Sequence, residues 1–246
     1  MNQTSEKVAL VTGSSRGIGA DIAVRLARDG FKVVVNYASN ATPAEEVAAT
    51  IRENGGDALL VKADIADPAA TIAMFDATEK AYGGVDVVVN SAGVMNQAKI
   101  ADFDDATFDR TVAINFKGAF NVSRETARRV RDGGRIMNLT TSVTGVRLPT
   151  YAVYIATKCA VEGLTQVLAQ ELRGRGISVN AVAPGPVATE LFLAGKSAEL
   201  IDRMAKMNPL ERLGQPSDIS AVVAFLASPE GAWINGQIVR ANGGMC

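Results

Sequence analysis

Seven short runs of apolar, mostly branched residues punctuate this chain, and stretches of helical pattern separate almost every pair of them. The runs are Val8-Ala9-Leu10-Val11, Val33-Val34-Val35, Ala58-Leu59-Leu60-Val61, Val85-Asp86-Val87-Val88-Val89, Arg135-Ile136-Met137-Asn138-Leu139, Ile177-Ser178-Val179-Asn180-Ala181-Val182 and Gln237-Ile238-Val239. Most lack the strict apolar–polar alternation of a half-exposed strand, so both faces of the strands are expected to be covered. Helices are predicted over 18–28, 44–54, 69–81, 105–131, 153–172 and 218–226, and Asp29-Gly30, Asn54-Gly55-Gly56, Gly83-Gly84, Asp132-Gly133-Gly134 and Gly174 supply the stops. Strands covered on both sides and joined through helices make an α/β chain, a Rossmann-type doubly wound parallel sheet of about seven strands with helices on both faces. The rhythm breaks once, between Pro184 and Pro216, where an insertion over 186–215 is expected to serve as a substrate loop. With no repeat and no linker, residues 1–246 are expected to form one domain.

Composition removes whole classes of function. The 246 residues are 48% apolar, enough for a sizeable core, and 25 basic residues mix with 26 acidic ones for a formal net charge of −1. Nucleic acid is therefore not an expected partner. No apolar run approaches the length of roughly 18 residues that a membrane span requires. Met1 to Glu6 is polar, without the apolar stretch of a leader, and the expected location is cytoplasmic. The chain has no histidine, which excludes Ser-His-Asp triads, Cys-His pairs and imidazole metal sites. Cys159 and Cys246 read as free thiols. Proton chemistry is left to tyrosine, lysine, cysteine and carboxylates.

Two motifs carry the chemistry. Thr12-Gly13-Ser14-Ser15-Arg16-Gly17-Ile18-Gly19 closes the first strand and opens the first helix, where glycines let backbone approach a pyrophosphate and the helix N-terminus favours negative charge. Tyr154 and Lys158, one helical turn apart, put an ammonium beside a phenol, where it can lower the phenol's pKa. Together they read as a nicotinamide-dependent redox enzyme.

The glycine spacing is Gly-x-x-x-Gly-x-Gly, and with it the chain closely resembles the short-chain dehydrogenase/reductase family, with the 3-oxoacyl carrier-protein reductases among its look-alikes. The resemblance runs through Asp64, Asn90-Ser91-Ala92-Gly93, Asn115, Tyr154 and Lys158, Pro184-Gly185 and Asn242-Gly243-Gly244. It implies that Tyr154 exchanges a proton with a carbonyl or alcohol oxygen while Lys158 holds the nicotinamide ribose and Asn115 a water. It puts Asp64 and Ile65 at the adenine, although Asp64 can equally cap a turn, and Asn90, Ala92 and Gly93 at the adenosine ribose. Pro184, Gly185 and Val187 would form the nicotinamide wall and Thr189 would bind the carboxamide, a role compatible with capping a helix. One further hydroxyl should meet the substrate carbonyl. Thirteen residues before Tyr154 stands Thr141, whereas Ser142-Val143-Thr144-Gly145 fits the family's Ser-x-x-Gly and favours Ser142.

After the second strand the chain reads Asn36-Tyr37-Ala38-Ser39-Asn40, with no acid to accept from a ribose 2′-hydroxyl or repel a 2′-phosphate. Arg16 can reach that phosphate, with Ser15, Gly17, Ile18, Tyr37 and Ser39 around it, so NADP(H) is favoured over NAD(H). The expected substrate is a small carbonyl compound or acyl thioester. Leu191, Phe192, Leu193, Met204 and Met207 would close over it. The competing reading is an NADP-binding sensor or scaffold without turnover. The resemblance also implies a homotetramer built on the helices over 105–131 and 153–172 and on the last helix and strand. Trp233, Ile234 and Met245, which a monomer would tend to expose, point the same way.

Overall fold

The computed structural model describes residues 7–246, so the expectation for Met1 to Glu6 lies outside the described residues. Its strands are β1 (Val8–Thr12), β2 (Lys32–Tyr37), β3 (Ala58–Lys62), β4 (Val85–Asn90), β5 (Val130–Leu139), β6 (Ser178–Pro184) and β7 (Ile238–Ala241). All seven pair in parallel in one sheet, in the order β3-β2-β1-β4-β5-β6-β7. The winding reverses between β1 and β4, and ligands bind such sheets beyond the strand C-termini at that switch point.

The apolar runs lack alternation because the sheet is covered twice. Ala9 and Val11 face one core with Ile22 and Leu26 of α1 (Gly17–Arg28), Ile51 of α2 (Thr42–Glu53), and Ile219 and Val223 of α10 (Pro216–Ala227). Leu10 faces the other core with Met74 and Phe75 of α3 (Pro68–Tyr82), Val122 of α5 (Ala119–Arg129) and Leu168 of α7 (Ala152–Glu171). Each such aliphatic side chain contributes roughly 1.5–3 kcal/mol by leaving water.

Two elements depart from the sequence reading. The helix expected over 105–131 is α4 (Asp105–Val112), a π-helical turn over Ala113–Gly118, and then α5. The wider turn coincides with Asn115, whose amide is committed to another loop, and such bulges frequently mark functional positions. Strand β5 begins at Val130, so the Asp132-Gly133-Gly134 stop falls inside it, with Gly133 at φ +79°. The insertion over 186–215 holds two short helices, α8 (Glu190–Leu193) and α9 (Ala198–Ala205). Its base is closed by Ala188 N–H donating to Gly214 O (2.8 Å) and Gly214 N–H donating to Pro186 O (2.9 Å). Among the described residues no helix is long and apolar enough to cross a membrane.

Candidate active site

The turn from β1 into α1 is collapsed to a degree that only glycine allows. Gly13 has φ +61°, and a Cβ there would sit 2.6 Å from Ala92 Cα; a Cβ on Gly19 would sit 2.5 Å from Gly13 O. Asn36, buried at the end of β2, fastens this turn to the sheet. Its Oδ1 accepts from Gly13 N–H (3.1 Å), and its Nδ2 donates to Val61 O (3.2 Å) and Ala63 O (3.0 Å). Ser14 adds a second tie, accepting from Asn36 N–H at 3.0 Å and donating to Val11 O at 2.7 Å. The residue before α1, Arg16, offers no side-chain cap, which leaves the first-turn N–H groups of α1 without a side-chain acceptor. With the helix dipole they make an anion-binding end that suits a pyrophosphate.

Beside this cradle, Thr12 Oγ1 accepts from Ser91 N–H (3.1 Å) and Ala92 N–H (3.2 Å) and donates to Asn90 Oδ1 (3.2 Å). Asn90 Nδ2 donates to Ala119 O and Asn138 Oδ1, so its amide is spent inside the protein. Asn90 thereby shapes the turn that presents Ala92 and Gly93, the two residues expected with it at a ribose. Asp64 does cap a turn, accepting from Ala66 N–H at 2.9 Å, while its exposed side chain stays accessible. Ile65 is buried, its side chain close enough to Gly118 that a Cβ there would lie 2.7 Å away, so only its main chain can meet a ligand.

Tyr154 and Lys158 sit one turn apart near the start of α7, with Nζ 5.9 Å from the phenol ring centroid. Lys158 is buried and donates to Leu139 O at 2.8 Å. Burial lowers its pKa to about 8. Burial also pushes the Tyr154 phenol up to about 12, opposed by a hydrogen bond from Thr141 and reinforced by Tyr151. Burial sets the direction of the phenol's shift in this geometry, and the expected lowering by the neighbouring ammonium is absent while that ammonium is engaged with the Leu139 carbonyl.

The two candidate hydroxyls separate cleanly. Thr141 is near enough to Tyr154 to draw the phenol's pKa down, whereas Ser142 is fully buried and donates to Ala183 O at 2.9 Å. The Ser142 hydroxyl is thus engaged with the end of β6, and Thr141 is the one beside the phenol. Asn115 donates to and accepts from the Val94 peptide, both at 2.8 Å, and adds a bond to Thr157. A Cβ on Gly93 would come 3.2 Å from Asn115 Oδ1 and 3.4 Å from Lys158 Nζ, so Gly93 keeps the three groups close.

Sequence reasoning gave no role to several residues that build the site. Asn36 and Thr12 hold the two turns, and Tyr151 packs edge-on to Tyr154 at 6.4 Å. Polar residues at the C-terminal ends of otherwise apolar strands were the available signal for the first two.

Across the cleft, Pro184 ends β6, and a Cβ on Gly185 would meet Asn242 Cα at 2.9 Å. Val187 is buried. Thr189 caps α8 by accepting from Phe192 N–H (3.2 Å), and its methyl would lie 3.5 Å from a Cβ on Gly17. Arg16 reaches over the same gap to Glu190 at 3.5 Å, with both side chains largely exposed. Ser39 is exposed and Tyr37 half-buried against the core, both at the end of β2. Of the expected covering residues, Leu191 and Leu193 are exposed, Phe192 and Met207 are partly covered, and Met204 is packed inside.

The family model described as "Enoyl-(Acyl carrier protein) reductase" matches residues 13–246. A short-chain type dehydrogenase/reductase from Picea abies is 49% identical, covering 97% of this chain and 92% of its own. An NADPH-dependent aldehyde reductase-like chloroplastic protein from Arabidopsis thaliana is 44% identical over 97% of this chain and 93% of its own. Among solved structures, a short-chain dehydrogenase from Burkholderia cenocepacia J2315 in complex with NADP superposes with a TM-score of 0.93 at 37% identity, covering 99% of each chain. Glycine cradle, switch-point cleft, Tyr154–Lys158 pair and near-full-length matches converge: this chain belongs to the short-chain dehydrogenase/reductase family and is an NAD(P)-dependent oxidoreductase.

Proposed function

We propose that the chain is an NADPH-dependent reductase of small carbonyl compounds, aldehydes or ketones, with Tyr154 as the proton donor. The observation that carries this reading is that Lys158 Nζ lies 5.9 Å from the Tyr154 ring and close to Gly93, next to the Ala92 against which the glycine turn packs. The cradle fits a dinucleotide: Gly13 and Gly19 let the turn close on Ala92 and on the Gly13 carbonyl where a Cβ would clash, Gly17 takes a φ of +57°, and the uncapped start of α1 supplies donors.

NADPH would be held by the residues from Gly13 to Gly19, by Ala92 and Gly93, and by Lys158, with Thr189 and the Pro184–Gly185 wall at the nicotinamide. Bound there, the cofactor supplies the hydride. The remaining work belongs to the protein. Thr141 and Tyr154 hydrogen-bond the substrate carbonyl, and Tyr154 gives its proton to the oxygen as negative charge develops. Lys158, whose Nζ lies 5.9 Å from the phenol ring, would favour the tyrosinate once the proton has left. Tyr37 and Ser39 in place of an acid, with Arg16 nearby, support preference for the 2′-phosphate. The resemblance of Arabidopsis thaliana's NADPH-dependent relative supports the same choice and favours free carbonyls over 3-oxoacyl thioesters.

The proposal includes a homotetramer in the cytoplasm. Trp233 is 98% exposed, and Phe108, Phe116, Phe120 and Val167 are exposed on the α4–α5 and α7 segments, apolar surface that copies of the chain would cover.

The test is to incubate purified protein with NADPH or NADH and aldehydes, cyclic ketones and 3-oxoacyl thioesters, following cofactor oxidation. Turnover of free carbonyls with NADPH is expected. Tight NADPH binding with no turnover on any carbonyl overturns the reading in favour of a sensor, and turnover of thioesters alone reassigns the substrate class.

A further inference from the structure

The segment after β7, Asn242–Cys246, folds back against the loop that carries Thr141. Asn242 staples it: Oδ1 accepts from Gly244 N–H (2.9 Å) and Met245 N–H (3.2 Å), and Nδ2 donates to Cys246 O (3.2 Å). Thus held, Cys246 S–H donates to Ser142 O at 3.3 Å. The approach is close enough that a Cβ on Gly145 would lie 2.8 Å from the sulfur.

Ser142 is bonded on its remaining sides as well. Its N–H donates to Pro184 O at 2.8 Å and its hydroxyl to Ala183 O at 2.9 Å. The next residue up the chain is Thr141, which touches the phenol. The same segment packs against the rest of the cleft wall: a Cβ on Gly185 would meet Asn242 Cα at 2.9 Å, and one on Gly243 would meet Asn208 Oδ1 at 2.5 Å.

From this geometry we infer that Ser142 and the Asn242–Cys246 segment form a brace that aims Thr141 at Tyr154, with Cys246 and Asn242 as positioning residues for the reduction. Neither touches the reacting atoms. The two adjacent hydroxyls then divide the work: Thr141 meets the phenol and the substrate, and Ser142 anchors the peptide that holds Thr141 in place. The inference rests on the assignment of Thr141 made above.

The experiment is a double-mutant cycle on the full chain, with kcat and KM for NADPH as readouts. Ser142 O also accepts from Gly145 N–H (3.0 Å) and Val146 N–H (3.4 Å), and a thiol is a weak donor, so losing the sulfur–carbonyl bond in Cys246→Ala should lower kcat about twofold, the low end for a hydrogen bond, with KM for NADPH unchanged. Cys246→Ser, which keeps a donor for Ser142 O, should restore kcat. On a Thr141→Val background, Cys246→Ala should change nothing further. Equal effects of Cys246→Ala in both backgrounds, a Cys246→Ser variant no better than Cys246→Ala, or wild-type kcat in Cys246→Ala overturns the brace while leaving Thr141 in place. A silent Thr141→Val instead overturns the assignment beneath it.

Discussion

Replacing Asn36 by aspartate changes one atom type at a buried junction, and the hydrogen bonds dictate the result. The Asn36 side chain is inside the protein, accepting from Gly13 N–H through Oδ1 and donating through Nδ2 to Val61 O and Ala63 O. An aspartate at this position keeps the acceptor for Gly13 but turns its second oxygen toward two carbonyls. Two hydrogen bonds are lost, each worth roughly 1 kcal/mol, and a carboxylate is left buried against acceptors, so at neutral pH the loss should be about 3–5 kcal/mol. Burial and the facing carbonyls raise the folded-state pKa above the unfolded value of about 3.9. The folded protein then holds the proton more tightly than the unfolded chain. The variant's stability relative to wild type is greatest below that unfolded value and is lost as pH rises through the folded pKa. Urea denaturation should be followed by far-ultraviolet circular dichroism, because the single tryptophan, Trp233, is 98% exposed and reports little on the core. An unfolding midpoint equal to wild type at neutral pH, or a deficit that does not grow with pH, would refute the assignment of Asn36 as the clamp of the phosphate turn.

Tyr154→Phe should lower kcat by about 10²-fold or more while NADPH binding by fluorescence titration persists, since the hydroxyl serves chemistry and the cradle serves affinity. Retention of more than about a tenth of wild-type kcat would contradict the role of the phenol. Lys158→Met should abolish useful turnover yet raise the melting temperature at neutral pH. The Lys158 amine keeps its proton to about 8 in the folded protein, against about 10.4 in the unfolded chain, so charge burial opposes folding and stability climbs between those values. Removing the amine should remove that climb in pH-dependent melting; a lower melting temperature would show that its bond to Leu139 O outweighs the burial cost. Tyr37→Asp should weaken NADPH far more than NADH, by setting a carboxylate where the 2′-phosphate would lie, and equal losses in titrations with both cofactors would misplace that pocket.

Periodicity and glycine placement determined most of the architecture. Runs such as Val8 to Val11 and Val33 to Val35 have no polar face, so only a sheet covered on both sides can bury them, and the helical stretches between them make parallel pairing follow. Gly13, Gly17 and Gly19 announced the cradle because close backbone approach at Gly13 and Gly19 and a positive φ at Gly17 leave few other residues possible, and Tyr154 with Lys158 announced the chemistry because a helix places positions four apart side by side.

What sequence left open turns on competition for partners, which no local pattern records. Spacing and motif disagreed over Thr141 and Ser142, and only the fold shows that β6 engages Ser142, through Ala183 O and Pro184 O. Asn90 looked like a cleft residue until Thr12 and Asn138, brought in from β1 and β5, took up its amide. The Tyr154 phenol, with an ammonium one turn away, was expected to become more acidic. Its pKa rises instead, because burial is set by everything packed around α7 and acts on both groups, whereas sequence shows only the one neighbour. Local geometry along a helix or turn is written in the chain. Which buried donor finds which acceptor, and how much water reaches a charge, are decided when distant strands meet.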